Sequence, residues 1–322
     1  MIDVVALGEL LIDFAPRSVS ETGYPTLAAN PGGAPGNFLA ALAAYGRSAS
    51  MIGKVGDDMF GRLLVGTLKN AGIGTEGIRI DPTVFTTLAF VSLDASGNRD
   101  FSFARKPGAD TCLKPEEVPG DLIASAKVFH FGTLSLTDEP AASATREAVA
   151  LAKEKGVLVS LDPNLRKPLW KSDADAKAAI EWSLRQADIV KISDEEIAFM
   201  WGLSPEDGAR KLLEEYGVSL VYATLGPKGC HAANEKGAVT VSSPSGIRAV
   251  DTTGAGDIFG GSAMSRFLAY EKAPSLLTGE ELRDIVRFAC AAASLSTLKH
   301  GGITSVPDMK DVEACLRERM PL

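Results

Sequence analysis

Between Lys127 and Thr224 the sequence alternates between short apolar runs and longer helix-capable stretches. Val128 to Phe131, Val157 to Leu161, Ile189 to Ile192 and Leu220 to Thr224 read as strands. Ala141 to Lys155, Ala174 to Gln186 and Pro205 to Tyr216 read as helices, the first and third stopped by Gly156 and Gly217. Short runs that stay apolar throughout suit strands buried on both faces. Strands alternating with helices in this way build a parallel sheet with helices on each side. The first half adds strands at Ile2 to Leu7 and Ser50 to Val55, and helices at Asn37 to Tyr45 and Gly61 to Ala71. The last third adds a hairpin, Cys230 to Ala233 with Ala238 to Val241. Two long Ala- and Gly-rich helices near 255–270 and 280–299 follow, then a short one near 308–319. The expectation is one α/β domain over residues 1–322 around a mostly parallel sheet.

Two stretches interrupt this rhythm. Residues 15–31, rich in Pro, Gly, Ser and Thr, read as loop with short edge strands. Thr86 to Leu93 and Asp100 to Ala104 read as a hairpin turning at Asp94 to Asn98, with no helix after it. Together, about 15–31 and 84–110 form an expected small β insertion standing off the main sheet.

Composition narrows the function classes. With 41 acidic against 33 basic residues, the net charge of −8 lacks the basic footprint of a nucleic-acid binder. Cys112, Cys230, Cys290 and Cys315 are scattered, with no C-x-x-C pair, and read as free thiols of a reducing compartment. His130, His231 and His300 form no zinc-protease pair. Met1 to Glu9 lacks the basic start and apolar stretch of a signal peptide, and no apolar run approaches the ~18 residues of a membrane span. A cytoplasmic protein with no membrane partner is expected.

Two segments carry chemistry. Asp251-Thr252-Thr253-Gly254-Ala255-Gly256-Asp257 runs into a helix-capable stretch. Small residues there let a ligand approach the backbone, and amides at a helix N-terminus favour an anion. Asp257 lies within about one turn of them, placed to take a proton from a hydroxyl while the amides hold developing charge. That pairing suits phosphoryl transfer; the plainer reading is an N-cap with small residues for helix packing. Asn30 to Asn37, with glycines at 32, 33 and 36, also precedes a helix and suits a polyhydroxylated ligand; the plainer reading makes Asn37 an N-cap. The chain has no G-x-x-x-x-G-K-[ST] loop, no G-x-G-x-x-G after its first strand and no G-x-S-x-G elbow.

In this order and separation, the two segments resemble the paired signatures of the ribokinase (PfkB) family of carbohydrate kinases. The first is Gly32 to Asn37, continued by Gly53 to Gly61, and the second is Asp251 to Asp257. The resemblance spans Val4 to Pro307 and implies a ribokinase-like three-layer α/β/α sandwich with a small β-sheet lid that also mediates a homodimer. Gly8 to Phe14, Phe103 to Asp110 and Asp162 to Arg166 are similar to segments of fructokinases, the last shared with 2-keto-3-deoxygluconate kinases. The family pattern makes Asp257 the catalytic base and Gly254, Ala255 and Gly256 the anion hole. It sets Asp13, Gly33, Asn37, Arg105 and Arg166 on the sugar, and Lys191, Ser193, Thr224, Gly226 and Gly229 on the ATP side. Glu196 would organise Mg²⁺ through water; Ser193 departs from the family's usual Asn. The Ala289 to Leu298 helix would flank the adenine. Asp251, Thr253, Ser296, Gly301 and Ser305 would hold a monovalent cation such as K⁺.

The resemblance thus implies an ATP-dependent kinase acting on the 6-hydroxyl of D-fructose. A 2-keto-3-deoxygluconate kinase is the near alternative, because Arg105 and Arg166 could clamp its carboxylate; Phe103, which lacks a phenol, tilts the choice to fructose. Ribose, nucleosides and tagatose-6-phosphate stand further back. A catalytically inactive sugar sensor and a nicotinamide dehydrogenase are the readings from other classes.

Overall fold

A computed structural model describes residues 1–93 and 99–320. In chain order its first half holds β1 (Ile2–Leu7), β2 (Leu11–Val19), β3 (Pro25–Gly32), α1 (Ala34–Ala44), β4 (Ala49–Gly56), α2 (Met59–Asn70), β5 (Gly74–Asp81), β6 (Thr87–Leu93) and β7 (Arg99–Ala104). The alternating middle follows as α3 (Gly120–Ala124), β8 (Ala126–Gly132), α4 (Ala141–Glu154), β9 (Leu158–Asp162), α5 (Asp173–Leu184), β10 (Ile189–Ser193), α6 (Asp194–Trp201), α7 (Pro205–Tyr216) and β11 (Leu220–Thr224). Last come β12 (Cys230–Asn234), β13 (Gly237–Val241), α8 (Ala255–Leu268), α9 (Gly279–Ser296) and α10 (Met309–Arg319).

The main sheet has nine strands in the order β13-β12-β11-β10-β9-β8-β1-β4-β5. It is parallel except where β12 runs against both β11 and β13. Successive side chains of a strand point to opposite faces, and the core divides accordingly. Val4 and Ala6 of β1, with Leu220 and Tyr222 of β11, pack with Phe38, Leu42, Ile258 and Ile285 of α1, α8 and α9. Val5 and Leu7, with Val221 and Ala223, pack with Val149, Ile180, Ile197 and Leu212 of α4, α5, α6 and α7. Both faces are covered, which is why these strands read as unbroken apolar runs. The α1–α8 contact is close because of glycine. A Cβ at Gly261 would stand 2.1 Å from the Phe38 carbonyl oxygen.

The second sheet, β3-β2-β6-β7, stands apart from the first. It is built more regularly than the sequence suggests. β2 and β3 are a paired antiparallel ribbon from Leu11 to Gly32, not loop with short edges. The sheet ends at Ala104; residues 105–110 leave it for a loop and a 3-10 turn at Ala109–Cys112. The expected turn at 94–98 lies outside the described residues. Three elements went unforeseen, among them the five-residue α3. β5 is a polar edge strand in which only Ile78 and Ile80 are large and apolar, and α6 has only eight residues. α1 also starts earlier than expected, at Ala34 with Pro35 in its first turn, so Asn37 lies inside the helix and is not its cap.

In this sheet the chain leaves β1 in two directions, toward β4 and toward β8. Ligands in open α/β sheets sit beyond the carboxyl ends of the strands at such a reversal. Glu9, Asp162, Ser193 and Thr224 lie at or just past those ends. Among the described residues no helix is long and apolar enough to cross a membrane. All four cysteines are free, three of them buried.

Candidate active site

A cavity of about 700 Å³ opens at the carboxyl ends of β9, β10 and β11. Arg166, Lys191, Ser193, Glu196, Thr224, Gly226, Gly254, Gly256 and Asp257 line it. It adjoins a second cavity of about 550 Å³ through Thr224, Gly226, Thr252 and Gly256. The second is less polar, walled by Ile247 and Phe259 and by Cys290, Ala293, Ser294 and Thr297 of the α9 end.

The two cavities meet at the start of α8. Gly254 caps this helix at φ 74°, a conformation that favours glycine. The Asp251 carboxylate shapes the approach by accepting from Thr253 N–H (2.9 Å) and Gly301 N–H (3.2 Å). The α8 ladder begins with Ile258 N–H to Gly254 C=O, 2.8 Å, so the first-turn amides precede it. One of the three expected anion-hole amides is engaged: Ala255 N–H turns back to Thr252 C=O at 3.3 Å. The Gly256 and Asp257 amides then form the open end of the helix.

Asp257 is buried, and its Oδ2 accepts from Asn37 Nδ2 at 2.8 Å. The resemblance sets Asn37 on the sugar; in the structure its side-chain amide donates to Asp257. Asn37 Oδ1 is buried without a hydrogen-bond partner and packs against Gly302, whose Cβ would stand 2.1 Å away. Burial raises the Asp257 carboxyl above its usual range, opposed by Lys191, the Asn37 bond and Arg166. A carboxylate with a raised pKa is better matched to exchanging a proton near neutral pH.

Lys191 reaches Asp162 Oδ2 at 2.9 Å. Burial alone would lower the Lys191 ammonium, but Asp162, Glu196 and Asp257 outweigh it and hold it above its ordinary value. One ammonium thus serves three carboxylates. Asp162 is pushed up to about 7, by burial first. Glu196 is a brace: Oε2 accepts from Ser193 N–H (2.8 Å) and Oγ (2.9 Å), and Oε1 from Leu165 N–H (2.8 Å). With Ser193 it forms the capping box that starts α6. With three of its four lone pairs occupied, Glu196 suits a metal ion held through water better than one bound directly. Among the described residues no group of three or more His, Cys, Asp or Glu could cage a metal ion.

The remaining expected residues fall in four places. Asp13, on β2, lies over Gly32, whose Cβ would stand 2.6 Å from Asp13 Oδ2. Gly33 caps α1 at φ 112° with no room for a side chain, since its Cβ would stand 2.3 Å from the Glu9 carbonyl oxygen. Gly229 (φ 113°) lines the apolar cavity and lets β13 pass, a Cβ there standing 2.0 Å from Val241 C=O. Ser296 and Ser305 are buried near Asp251, but their hydroxyls donate to Ala293 and Gly302 C=O.

Arg105, which the resemblance sets on the sugar, is held by protein groups. Its Nε and Nη2 bind Asp110 Oδ2, both at 2.8 Å, Nη1 donates to Thr137 Oγ1 (2.8 Å), and Nη2 donates to Leu134 C=O (3.0 Å). It anchors the segment leaving the small sheet. Nearby, Glu9 went unread in the sequence: it is buried, accepts from Ala34 N–H (2.8 Å), and burial pushes it up to about 7. Asp162 was also missed as a site residue, although its motif was noted. A strand-end carboxylate within D-P-N-x-R was the available signal.

Residues 1–309 match the pfkB family of carbohydrate kinases. The chain belongs to that family. Fructokinase-2 of Solanum lycopersicum is 41% identical over 318 residues, 98% of this chain and 96% of the relative. Fructokinase-1 of Oryza sativa subsp. japonica is 42% identical over 314 residues, 96% of each. Among solved structures, a fructokinase from Xylella fastidiosa with bound ATP superposes with TM-score 0.89 at 29% identity, covering 99% of both chains. A Vibrio cholerae O395 fructokinase with fructose, ADP and calcium superposes with TM-score 0.86 at 31% identity, over 98% of this chain and 99% of that one. The ribokinase-like fold and the phosphotransferase class expected from the sequence are thus both met in this pfkB kinase.

Proposed function

We propose that this kinase transfers the γ-phosphoryl group of ATP to the 6-hydroxyl of D-fructose. The observation that carries the proposal is the place of Asp257: a buried carboxylate one turn into α8, between the helix's open amides and a cavity lined by Arg166 and Lys191. The fructokinases named above, similar along nearly the whole chain, supply the sugar. Asp257 takes the proton of the attacking hydroxyl while Asn37 holds the carboxylate in place. The hydroxyl oxygen bonds to the γ-phosphorus as the bond to the β-phosphate oxygen breaks, releasing ADP. The Gly256 amide, Lys191 and Arg166 face the charge on the moving group. The apolar cavity against α9 takes the adenine, with Gly226 and Gly229 at its rim. Asp13 and Gly33 stand on the sugar side.

Glu196, with Asp194 and Glu195 also lining the cavity, would hold hydrated Mg²⁺. When bound, Mg²⁺ neutralises phosphate charge. Asp251, Thr253, Ser296, Gly301 and Ser305 would hold K⁺, the serines through their carbonyls. Exposed Val19 and Leu27 on the small sheet, with Tyr24 in the turn between them, support a homodimer through the lid, and free cysteines suit the cytoplasm.

A 2-keto-3-deoxygluconate kinase would need two arginines on the substrate carboxylate, and Arg105 is already bound to Asp110, which favours fructose. The test is ADP release with ATP, Mg²⁺ and K⁺ over fructose, 2-keto-3-deoxygluconate, ribose, glucose and adenosine. Fructose should give the highest kcat/KM. A clear preference for 2-keto-3-deoxygluconate would overturn the sugar assignment, and turnover of none of them would overturn the activity.

A further inference from the structure

The transfer step described above does not use Asp162. This residue ends β9, is 5% exposed, and faces Lys191 across the sheet. Its two oxygens have separate tasks. Oδ2 takes the Lys191 ammonium at 2.9 Å, and Oδ1 accepts from Asn164 N–H at 3.2 Å. Lys191 in turn lies against the first turn of α8, since a Cβ at Gly256 would stand 3.0 Å from Nζ. A lysine ammonium rides on a flexible four-carbon stem and has no preferred direction of its own. Burying a carboxylate to face it is costly unless the pair is well held. A fixed acid behind the cation is what gives it one position.

We infer that Asp162 is a positioning residue for phosphoryl transfer: it pins the Lys191 ammonium against Gly256, where that cation meets the γ-phosphoryl group. This rests on the phosphoryl-transfer reading of the same cavity. Asp162 itself touches neither sugar nor nucleotide.

Asp162→Asn keeps an oxygen for Asn164 N–H and removes the charge that holds Lys191. With Lys191→Met and the double variant it forms a cycle. Asp162→Asn should lower kcat by roughly 10- to 100-fold, the usual size of a supporting-residue effect, with the fructose KM nearly unchanged. Added to Lys191→Met it should lower kcat by less than about threefold, because its effect passes through the lysine. An equal loss in both backgrounds, or wild-type kcat in Asp162→Asn, overturns the inference. Should Asp162→Asn alone fail to fold, the double variant removes both members of the Asp162–Lys191 pair, and its comparison with Lys191→Met decides the matter.

One further readout separates positioning from mere support. Calorimetry with ADP and with the β,γ-methylene analogue of ATP, in wild type and Asp162→Asn, tests the site apart from any sugar. Wild type should prefer the analogue, and Asp162→Asn should reduce that preference. No preference in wild type would overturn the phosphoryl site itself. A preference kept intact by Asp162→Asn would overturn the role of Asp162 alone.

Discussion

Asp257→Asn should damage catalysis and stabilise the fold together. The carboxylate is buried and takes one hydrogen bond, 2.8 Å from Asn37 Nδ2. The introduced amide keeps that bond through its oxygen, so the Asn37 geometry survives. Its NH₂ then faces the cavity, offering a donor where the attacking hydroxyl needs an acceptor. General-base catalysis is worth roughly 10²- to 10⁴-fold, or about 3–5 kcal/mol of barrier, and kcat should fall by that factor. Fructose binding, followed by calorimetry, should stay within a few-fold. Stability moves the other way. Burial raises the Asp257 pKa, so the folded state binds this proton more tightly than the unfolded chain. Above the folded pKa the ionised carboxylate weighs against folding, and the neutral amide removes that burden. The melting temperature at pH 8 should therefore rise, on the order of a few degrees. A folded variant with kcat within tenfold of wild type, or one that melts lower at pH 8, would refute this reasoning.

Glu9, raised from 4.5 to about 7 by burial, gives stability that is complete below about pH 4.5 and is lost as pH climbs through about 7. At about 1.4 kcal/mol per unit the loss amounts to about 3 kcal/mol. Urea unfolding of Glu9→Gln should show a flatter pH dependence and higher stability than wild type at pH 8. Gly33→Ala forces a Cβ to within 2.3 Å of the Glu9 carbonyl oxygen at φ 112°. It should cost about 2–4 kcal/mol, read as a lower urea midpoint. Glu196→Ala removes a capping-box partner and the Leu165 brace. The expected result is about 1 kcal/mol of lost stability and a KM for MgATP raised severalfold, with fructose KM little changed.

Much of the main sheet was legible because its strands are apolar on both faces and its helices end at glycines such as Gly156 and Gly217. The elements that escaped lack those signals. β5 is polar because it is an edge strand, and α6 is too short to show a period. The Ser193–Glu196 pair was readable as a capping box, yet the family motif drew attention to a metal instead. The Arg105 contacts were illegible for a related reason: an arginine beside a substrate-side motif does not announce that Asp110, five residues on, will take its guanidinium.

The sequence alone determined the layers and the glycine-rich start of α8 with Asp257 inside it, because these follow from local pattern and from a contiguous motif. Only the tertiary structure decided how the acids and cations share charge. Asp162, Lys191 and Asp257 are apart in the chain and meet because β9 and β10 end, and α8 begins, at one edge of the sheet. Asn37 reaches Asp257 across 220 residues. Burial and pairing, which set the charge state of each of these groups, arise only when those ends converge.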